Sequence, residues 1–128
     1  MRYRTHVSAD AVLIDRWRSL LAQYSRIAHE LDRALQEHGL TVSDYEALDR
    51  LLSDQDRKVR VQDLVDEMHL SQSAMSRMVA RLEKCGLVCR GMCDIDRRGV
   101  FVSPTEAGRK VHAEARGTYL AVLAKHLG

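Results

Sequence analysis

A chain of 128 residues, 45% hydrophobic and only 5% aromatic, has room for one domain whose core must be built mainly from aliphatic side chains. Its longest purely apolar run, about six residues at 119–124, is far shorter than the roughly 20 residues that span a bilayer. The N-terminus lacks the apolar stretch of a signal peptide, and three cysteines are an odd number for a disulfide scaffold. The sequence therefore predicts a single, mainly helical, cytoplasmic domain over residues 1–128.

The net charge of +2 is unevenly distributed along the chain. Residues 41–70 carry eight acids against four bases, whereas residues 71–99 carry six bases against three acids. A polyanion would be attracted to the second segment and repelled by the first. A solvated charged surface gives the same pattern, so charge alone does not establish a function.

A long helix is predicted over residues 10–38, with Gly39 in the C-cap position. Its apolar residues recur at alternating steps of four and three, as in a helix that packs lengthwise on another. These seam residues are Leu13, Trp17, Leu20, Tyr24, Ile27 and Leu31. The seam is too long for a small lobe to cover, so we expect it to pack against a second subunit.

Three shorter elements are predicted after this helix. Ser43 is expected to cap a second helix, with Glu46 completing its capping box. A loop follows, then a short β-like segment at 59–61 and a short helix over 62–68.

The next helix is predicted over residues 72–84, with Ser71 as its N-cap and Gly86 ending it. Met75, Val79 and Leu82 recur at helical spacing and form its buried face.

Two strands, 87–92 and 99–102, are predicted around a polar loop. A two-stranded unit this short is marginally stable alone, so we expect it to pack against helices. The final helix is expected to begin at 104 and run to 127. Ser103 is its predicted N-cap, Pro104 its first residue, and Glu106 the capping-box partner.

The order of these elements is that of a winged helix-turn-helix. The fold class is mainly α, with a DNA-binding lobe over 43–102, a β-hairpin wing over 87–102, and flanking dimerisation helices over 10–38 and 104–127. Small hydroxyls on the second short helix permit close approach to the major groove, where arginine pairs bidentately with guanine and glutamine with adenine. The predicted DNA contacts are Gln72, Ser73, Ser76, Arg77 and Arg81 from the helix, and Arg97 and Arg98 from the wing loop. A polar helix start on any small helical protein is the simpler alternative.

Two stretches resemble the multiple-antibiotic-resistance regulator (MarR) family. They are LSQSAMSRMVARLEKCGLV at 70–88 and DIDRRGVFVSPTEAG at 94–108, of which the second is the more specific. The resemblance implies a homodimer that represses transcription by binding palindromic double-stranded DNA and releases it when a small anionic or phenolic effector binds. It also implies that Arg98 enters the minor groove, that Asp96 orients Arg98, and that Arg77 and its neighbours read the major groove. Family members usually continue past the position of Gly128 with another dimerisation helix.

Three cysteines, Cys85, Cys89 and Cys93, lie four residues apart between the second short helix and the wing. Their spacing lacks the Cys-x-x-Cys pattern of zinc sites. A redox role is an alternative, because oxidation would distort the DNA-binding surface and the bases Arg81 and Lys84 could lower the pKa of Cys85. We favour a structural role, since free cysteine often behaves as a small buried hydrophobe.

No catalytic arrangement, cofactor motif or metal motif is found in the sequence. Trp17 and Tyr24 are candidates for lining an effector pocket, although both also belong to the apolar seam. The sequence thus predicts a ligand-responsive repressor rather than an enzyme. The alternatives are a thiol-based redox regulator on the same fold and a winged-helix protein-interaction module that binds no DNA.

Overall fold

The structure, a computed structural model, describes residues 8–53, 59–92 and 100–128. Within these ranges every helix is too short or too polar to cross a lipid bilayer. The elements in chain order are helix α1 (Ala9–Leu35), a 3-10 turn (Gln36–His38), helix α2 (Val42–Ser53), strand β1 (Val59–Arg60), helix α3 (Val61–Met68), helix α4 (Gln72–Lys84), strand β2 (Val88–Met92), strand β3 (Val100–Pro104) and helix α5 (Glu106–Leu127).

Helix α1 and the 3-10 turn after it match the long helix predicted over 10–38. The Ser8 side chain accepts a hydrogen bond from the Ala11 N–H at 3.1 Å and caps the start. Gly39 adopts a φ of 73°, the left-handed conformation expected of a glycine that ends a helix.

Helix α2 begins earlier than predicted, and its capping box involves different residues. The hydroxyl of Thr41 accepts from the Asp44 N–H at 3.1 Å, and the Asp44 carboxylate accepts from the Thr41 N–H at 2.9 Å. The prediction of Ser43 as the cap with Glu46 as its partner is therefore wrong. Thr41-x-x-Asp44 fits the same sequence pattern two residues upstream, and aspartate is short enough to return the bond.

The sheet has three antiparallel strands in the order β1-β3-β2, one more than the predicted two-stranded unit. Val59 and Arg60 of β1 pair with Val102 and Phe101 of β3. The β-like segment near residue 59 is thus a strand that covers one edge of the hairpin. This pairing brings the region before α3 into contact with the wing.

Helix α5 begins two residues later than predicted. Ser103 and Pro104 continue strand β3, where Pro104 faces Val88, so the prediction of these two residues as N-cap and first helical residue is wrong. The cap is Thr105, whose hydroxyl accepts from the Gly108 N–H at 3.0 Å and donates to the Gly86 carbonyl at 2.6 Å. Proline tolerates an extended strand end as well as a first helical turn, so its presence did not distinguish the two.

One hydrophobic core joins the helices and the sheet, with α2 near its centre. Leu48 and Leu51 of α2, Leu64 of α3 and Leu82 of α4 are each almost completely buried in it. Gly108 lets α5 pass close to the backbone of Leu87, because a Cβ at this position would clash with the Leu87 carbonyl. Tight packing of α5 against the start of β2 fixes the wing strands relative to the helices.

Candidate nucleic-acid interface

Helix α4 presents a polar face to solvent and an apolar face to the core. The Ser71 hydroxyl accepts from the Ala74 N–H at 3.1 Å and caps the helix, as the sequence predicted. The exposed residues of the first turns are Gln72, Ser73, Ser76 and Arg77, and the buried residues are Met75, Met78, Val79 and Leu82. The arrangement holds the polar side chains on a rigid support, as a major-groove helix requires.

The turn before α4 has a backbone conformation that is uncommon for its residue. His69 ends α3 with a φ of 59°, in the left-handed region, and its N–H donates to the Val65 carbonyl at 3.1 Å. Leu70 then packs against the core, and Ser71 caps the next helix. The two helices and this turn form the helix-turn-helix.

Arg77 and Arg81 lie one turn apart on α4, but their surroundings differ. Among the described residues Arg77 has no hydrogen-bond or ion-pair partner. Both terminal nitrogens of Arg81 donate to Asp44 of α2, at 2.7 Å and 2.5 Å. Asp44 is completely buried, whereas the Arg81 side chain is 46% exposed. The hydrogen bond to Asp44 raises the pKa of Arg81 and holds the guanidinium against α2.

The wing is described only in part. Strands β2 and β3 pair from Val88 with Pro104 to Met92 with Val100. Arg90 on β2 forms an ion pair with Glu83 of α4 at 3.0 Å, and the Arg60 guanidinium lies 5.6 Å from the centre of the Phe101 ring. The predicted wing residues Asp96, Arg97 and Arg98, together with Cys93, lie outside the described residues.

Cys85 and Cys89 are free thiols and both are exposed, so for these two the expected burial is wrong. Cys85 follows the last residue of α4, and Cys89 lies on β2 opposite Ser103. Within the described ranges no three histidine, cysteine or acidic side chains are grouped so that they could hold a metal ion.

A cavity of about 420 Å³ lies between α1, α2, α5 and the helix-turn-helix turn, and we call it the interhelix cavity. Of the two residues predicted to line an effector pocket, Tyr24 lines this cavity and Trp17 does not. Its lining residues are Tyr24, Ile27, Ala28, Leu31, Val42, Ser43, Glu46, Arg50, Glu67, Met68, His69, Leu70, Tyr119 and Leu127. Its size is within the range of small-molecule sites.

Polar and aromatic contacts join α5 to α2 beside this cavity. The Tyr119 hydroxyl donates to the Glu46 carboxylate, and the Tyr119 ring stacks on Tyr45 with 4.1 Å between centroids. His112 stacks on the other side of Tyr45 and lies 2.8 Å from Asp49. Burial, reinforced by Glu46, raises the pKa of Tyr119, which therefore stays a neutral donor.

The apolar seam of α1 is largely uncovered in a single chain. Leu13, Trp17, Leu20 and Tyr24 are between 59% and 70% exposed, whereas Leu31, the last residue of the seam, is buried. A run of large apolar side chains exposed on one helix is unusual for a monomer and marks an interaction surface.

The pairing of Asp44 with Arg81 was not predicted from the sequence. In the sequence Asp44 contributes to the negative charge of residues 41–70, and it lies next to the core residues Tyr45 and Leu48. Its signal was the Thr41-x-x-Asp44 capping pattern, which would have placed the carboxylate at the start of α2. The pairing with Arg81 spans 37 residues and depends on the packing of α2 against α4.

Comparisons with known proteins agree with this geometry. The sequence pattern described as MarR family matches residues 38–99. AbsC, a MarR family transcriptional regulator from Streptomyces coelicolor, is 30% identical with a TM-score of 0.82, and the alignment covers 99% of this chain and 82% of AbsC.

Two further solved structures contain ligands. Sco3205 from Streptomyces coelicolor, a MarR family regulator solved in complex with DNA, is 29% identical with a TM-score of 0.83, over 95% of this chain and 79% of Sco3205. CouR from Rhodococcus jostii RHA1, solved with p-coumaroyl-CoA, is 28% identical with a TM-score of 0.73, over 84% of this chain and 76% of CouR. On this evidence the chain belongs to the MarR family of transcriptional regulators.

Proposed function

We propose that this protein is a ligand-responsive transcriptional repressor that binds palindromic double-stranded DNA as a homodimer. The observation that carries the proposal is helix α4, where Arg77 and three small or amide side chains are exposed opposite a buried apolar face. It acts by equilibrium binding and not by catalysis. It works in the cytoplasm and forms one domain over residues 1–128.

In this proposal α4 lies in the major groove. Arg77 reaches guanine, Gln72 reads adenine, and Ser73 and Ser76 allow the helix backbone to approach closely. Arg97 and Arg98 contact the backbone and minor groove from the wing, with Asp96 orienting Arg98, a role that rests on the family resemblance. Because Asp44 occupies its guanidinium, Arg81 fixes the angle of α4 and does not read a base.

The exposed seam of α1 supports the homodimer. Covering Leu13, Trp17 and Leu20 with the same seam of a second copy removes apolar surface from water at about 25 cal/mol per Å². In the proposed dimer a two-fold axis at this seam relates two copies of α4, and a palindromic operator requires two such copies on the same face of the DNA.

The interhelix cavity supports the response to a small molecule. Its walls include α1 and α5 on one side and Glu67, His69 and Leu70 of the helix-turn-helix on the other. A ligand held there touches both the proposed dimer helices and the turn that positions α4. If the ligand binds one orientation of the helix-turn-helix relative to the dimer helices more tightly, it changes the affinity for DNA. DNA then changes the affinity for the ligand by the same factor.

Exposure of Cys85 and Cys89 beside α4 favours one second candidate, a thiol-based redox regulator on the same fold. The two candidates differ in the signal and share DNA as the target. A protein-interaction module is the remaining alternative, and salt-dependent binding to duplex DNA distinguishes it from both.

Selection of bound sequences from random duplex DNA tests the proposal. The expected product is an inverted repeat whose half-site centres are separated by one or two helical turns, about 34–36 Å per turn. Reporter transcription from a promoter that carries this repeat should rise when the protein is removed. Recovery of no enriched sequence, with binding that is independent of salt, would contradict DNA recognition.

A further inference from the structure

The charged residues of the interhelix cavity are unevenly balanced. Arg50 of α2 lies between two carboxylates, with Nη2 3.5 Å from Glu46 and Nη1 3.5 Å from Glu67. The Glu46 carboxylate also accepts the hydroxyl of Tyr119. Among the described lining residues, the two carboxylates thus face one permanent cation, Arg50, which leaves an excess of negative charge among these three side chains.

This balance opposes an anionic ligand. To pair with a terminal nitrogen of Arg50, an added carboxylate or phosphate would have to displace Glu46 or Glu67, each of which lies 3.5 Å from one of these nitrogens; the buried Nε is the nitrogen without a partner among the described residues. A ligand cation needs no such displacement, because it adds to a cluster that already has a surplus carboxylate. Glu67 is the more accessible of the two, with about half of its side chain exposed.

The rest of the lining suits an aromatic ligand. Ile27, Leu31, Met68 and Leu70 provide an apolar surface, and the rings of Tyr24 and Tyr119 also contribute to the walls. Aromatic rings attract a cation through the negative charge of their faces, most strongly where water is excluded. Apolar walls, two phenol rings and a surplus carboxylate together match a flat, positively charged ring system.

We propose that the interhelix cavity binds an aromatic cation, with Glu67 as the residue that selects its charge. The proposal rests on the proposed function, since it assigns a ligand class to the small-molecule response described above. Glu67 is two residues before His69, the residue that turns the chain from α3 towards α4. A cation paired with Glu67 therefore acts directly on the helix-turn-helix.

Three bicyclic aromatic probes of similar size test the charge preference: 1-methylquinolinium, neutral 1-naphthol and the anion 1-naphthoate. Calorimetric titration of the full chain should give the tightest binding for 1-methylquinolinium, at least about tenfold tighter than for 1-naphthoate. Glu67→Gln should weaken binding of the cation by about tenfold and strengthen binding of 1-naphthoate. Asp63→Asn, the same charge change on an exposed α3 residue outside the cavity, should alter neither.

Each other result overturns the proposal. Equal or tighter binding of 1-naphthoate shows that the cavity accepts anions. Tightest binding of 1-naphthol shows that the cavity recognises a hydroxyl and not a charge, because the buried N–H at Arg50 Nε, which has no partner among the described residues, is a donor to which a hydroxyl oxygen can bind. Absence of binding by all three probes, or an unchanged cation affinity in Glu67→Gln, removes the site. Binding of the unliganded protein to its selected operator is measured separately. Failure of the ligand proposal can therefore be distinguished from failure of DNA recognition.

Discussion

Asp44 and Arg81 connect the start of helix α2 to the second half of helix α4 through two hydrogen bonds, of 2.5 Å and 2.7 Å. The Asp44 carboxylate is fully buried, and its Oδ2 also accepts the Thr41 N–H, whereas its Oδ1 is bonded by Arg81, so Oδ1 keeps this partner only while α4 keeps its position. A bidentate pair of this kind has a defined geometry as well as a favourable energy. We infer that it sets the orientation in which α4 presents Arg77.

Arg81→Ala should lower the free energy of unfolding by about 2–4 kcal/mol, because it leaves a buried carboxylate without its partner. Arg77→Ala should change stability by no more than about 0.5 kcal/mol, since its side chain is exposed and has no partner among the described residues. Urea denaturation of both variants measures the difference.

A second comparison separates positioning from base reading. Arg81→Ala should weaken binding to the operator and to its base-substituted variants by a similar factor, because the whole helix is misplaced. If Arg81→Ala is as stable as Arg77→Ala and relaxes recognition at a single base pair, Arg81 is itself a reader and the positioning role is wrong.

Leu20→Glu should dissociate the proposed dimer, because it places a charge in the middle of the apolar seam of α1. Sedimentation at micromolar concentration should show a dimer for the wild type and mainly monomer for the variant. Ser19→Glu adds the same charge to an exposed neighbour off the seam and should leave the dimer intact. A wild-type protein that is monomeric at this concentration would contradict the homodimer.

Tyr119→Phe should reduce the loss of stability that occurs at alkaline pH. Burial and Glu46 raise the pKa of Tyr119 above the ordinary value near 10, so the folded state keeps the neutral phenol. The contribution of the Tyr119 phenol to the free energy of unfolding is fully present below pH 10. It is lost as the pH rises above 10, because the unfolded chain then releases a proton that the folded chain retains. Unfolding free energies at pH 9 and pH 11 should fall less in the variant; an equal fall in both proteins would contradict the assignment.

Oxidation should have little effect on DNA binding if the cysteines are structural. We expect wild type and the triple variant Cys85→Ser, Cys89→Ser, Cys93→Ser to bind DNA equally before and after peroxide treatment. A loss of binding that appears only in the wild type and is reversed by a thiol reductant would instead support the redox regulator, for which the exposure of Cys85 and Cys89 is the structural requirement.

Much of the fold could be predicted because it depends on local patterns. The three-and-four spacing on α1, the Ser71 cap of α4 and the left-handed Gly39 each arise from residues close together in the chain. The errors at Ser43 and Ser103 arose where two capping patterns overlap within a few residues. Tertiary contacts decide between them: Thr41 shares Asp44 with Arg81, and Thr105 bonds the Gly86 carbonyl.

The site was predicted less completely for the same reason. Arg77 and Arg81 look equivalent in the sequence, and only the packing of α2 on α4 gives Arg81 a buried partner. The charge of the interhelix cavity was also hidden, because Glu46, Arg50 and Glu67 come from two helices and meet only in the folded chain. The expectation of an anionic or phenolic effector came from the family resemblance and not from these residues.

Equilibrium binding to the selected operator, measured for wild type, Arg77→Ala, Arg98→Ala and Lys110→Ala over a range of salt concentrations, tests the central claim most directly. Arg77→Ala should lose about 1–3 kcal/mol and relax specificity at one base pair, whereas Arg98→Ala should weaken binding and reduce the salt slope by about one unit. Lys110→Ala, which removes an exposed cation on α5, should bind as wild type. Wild-type affinity and specificity in Arg77→Ala would contradict the account, because helix α4 would then not be the element that reads the DNA.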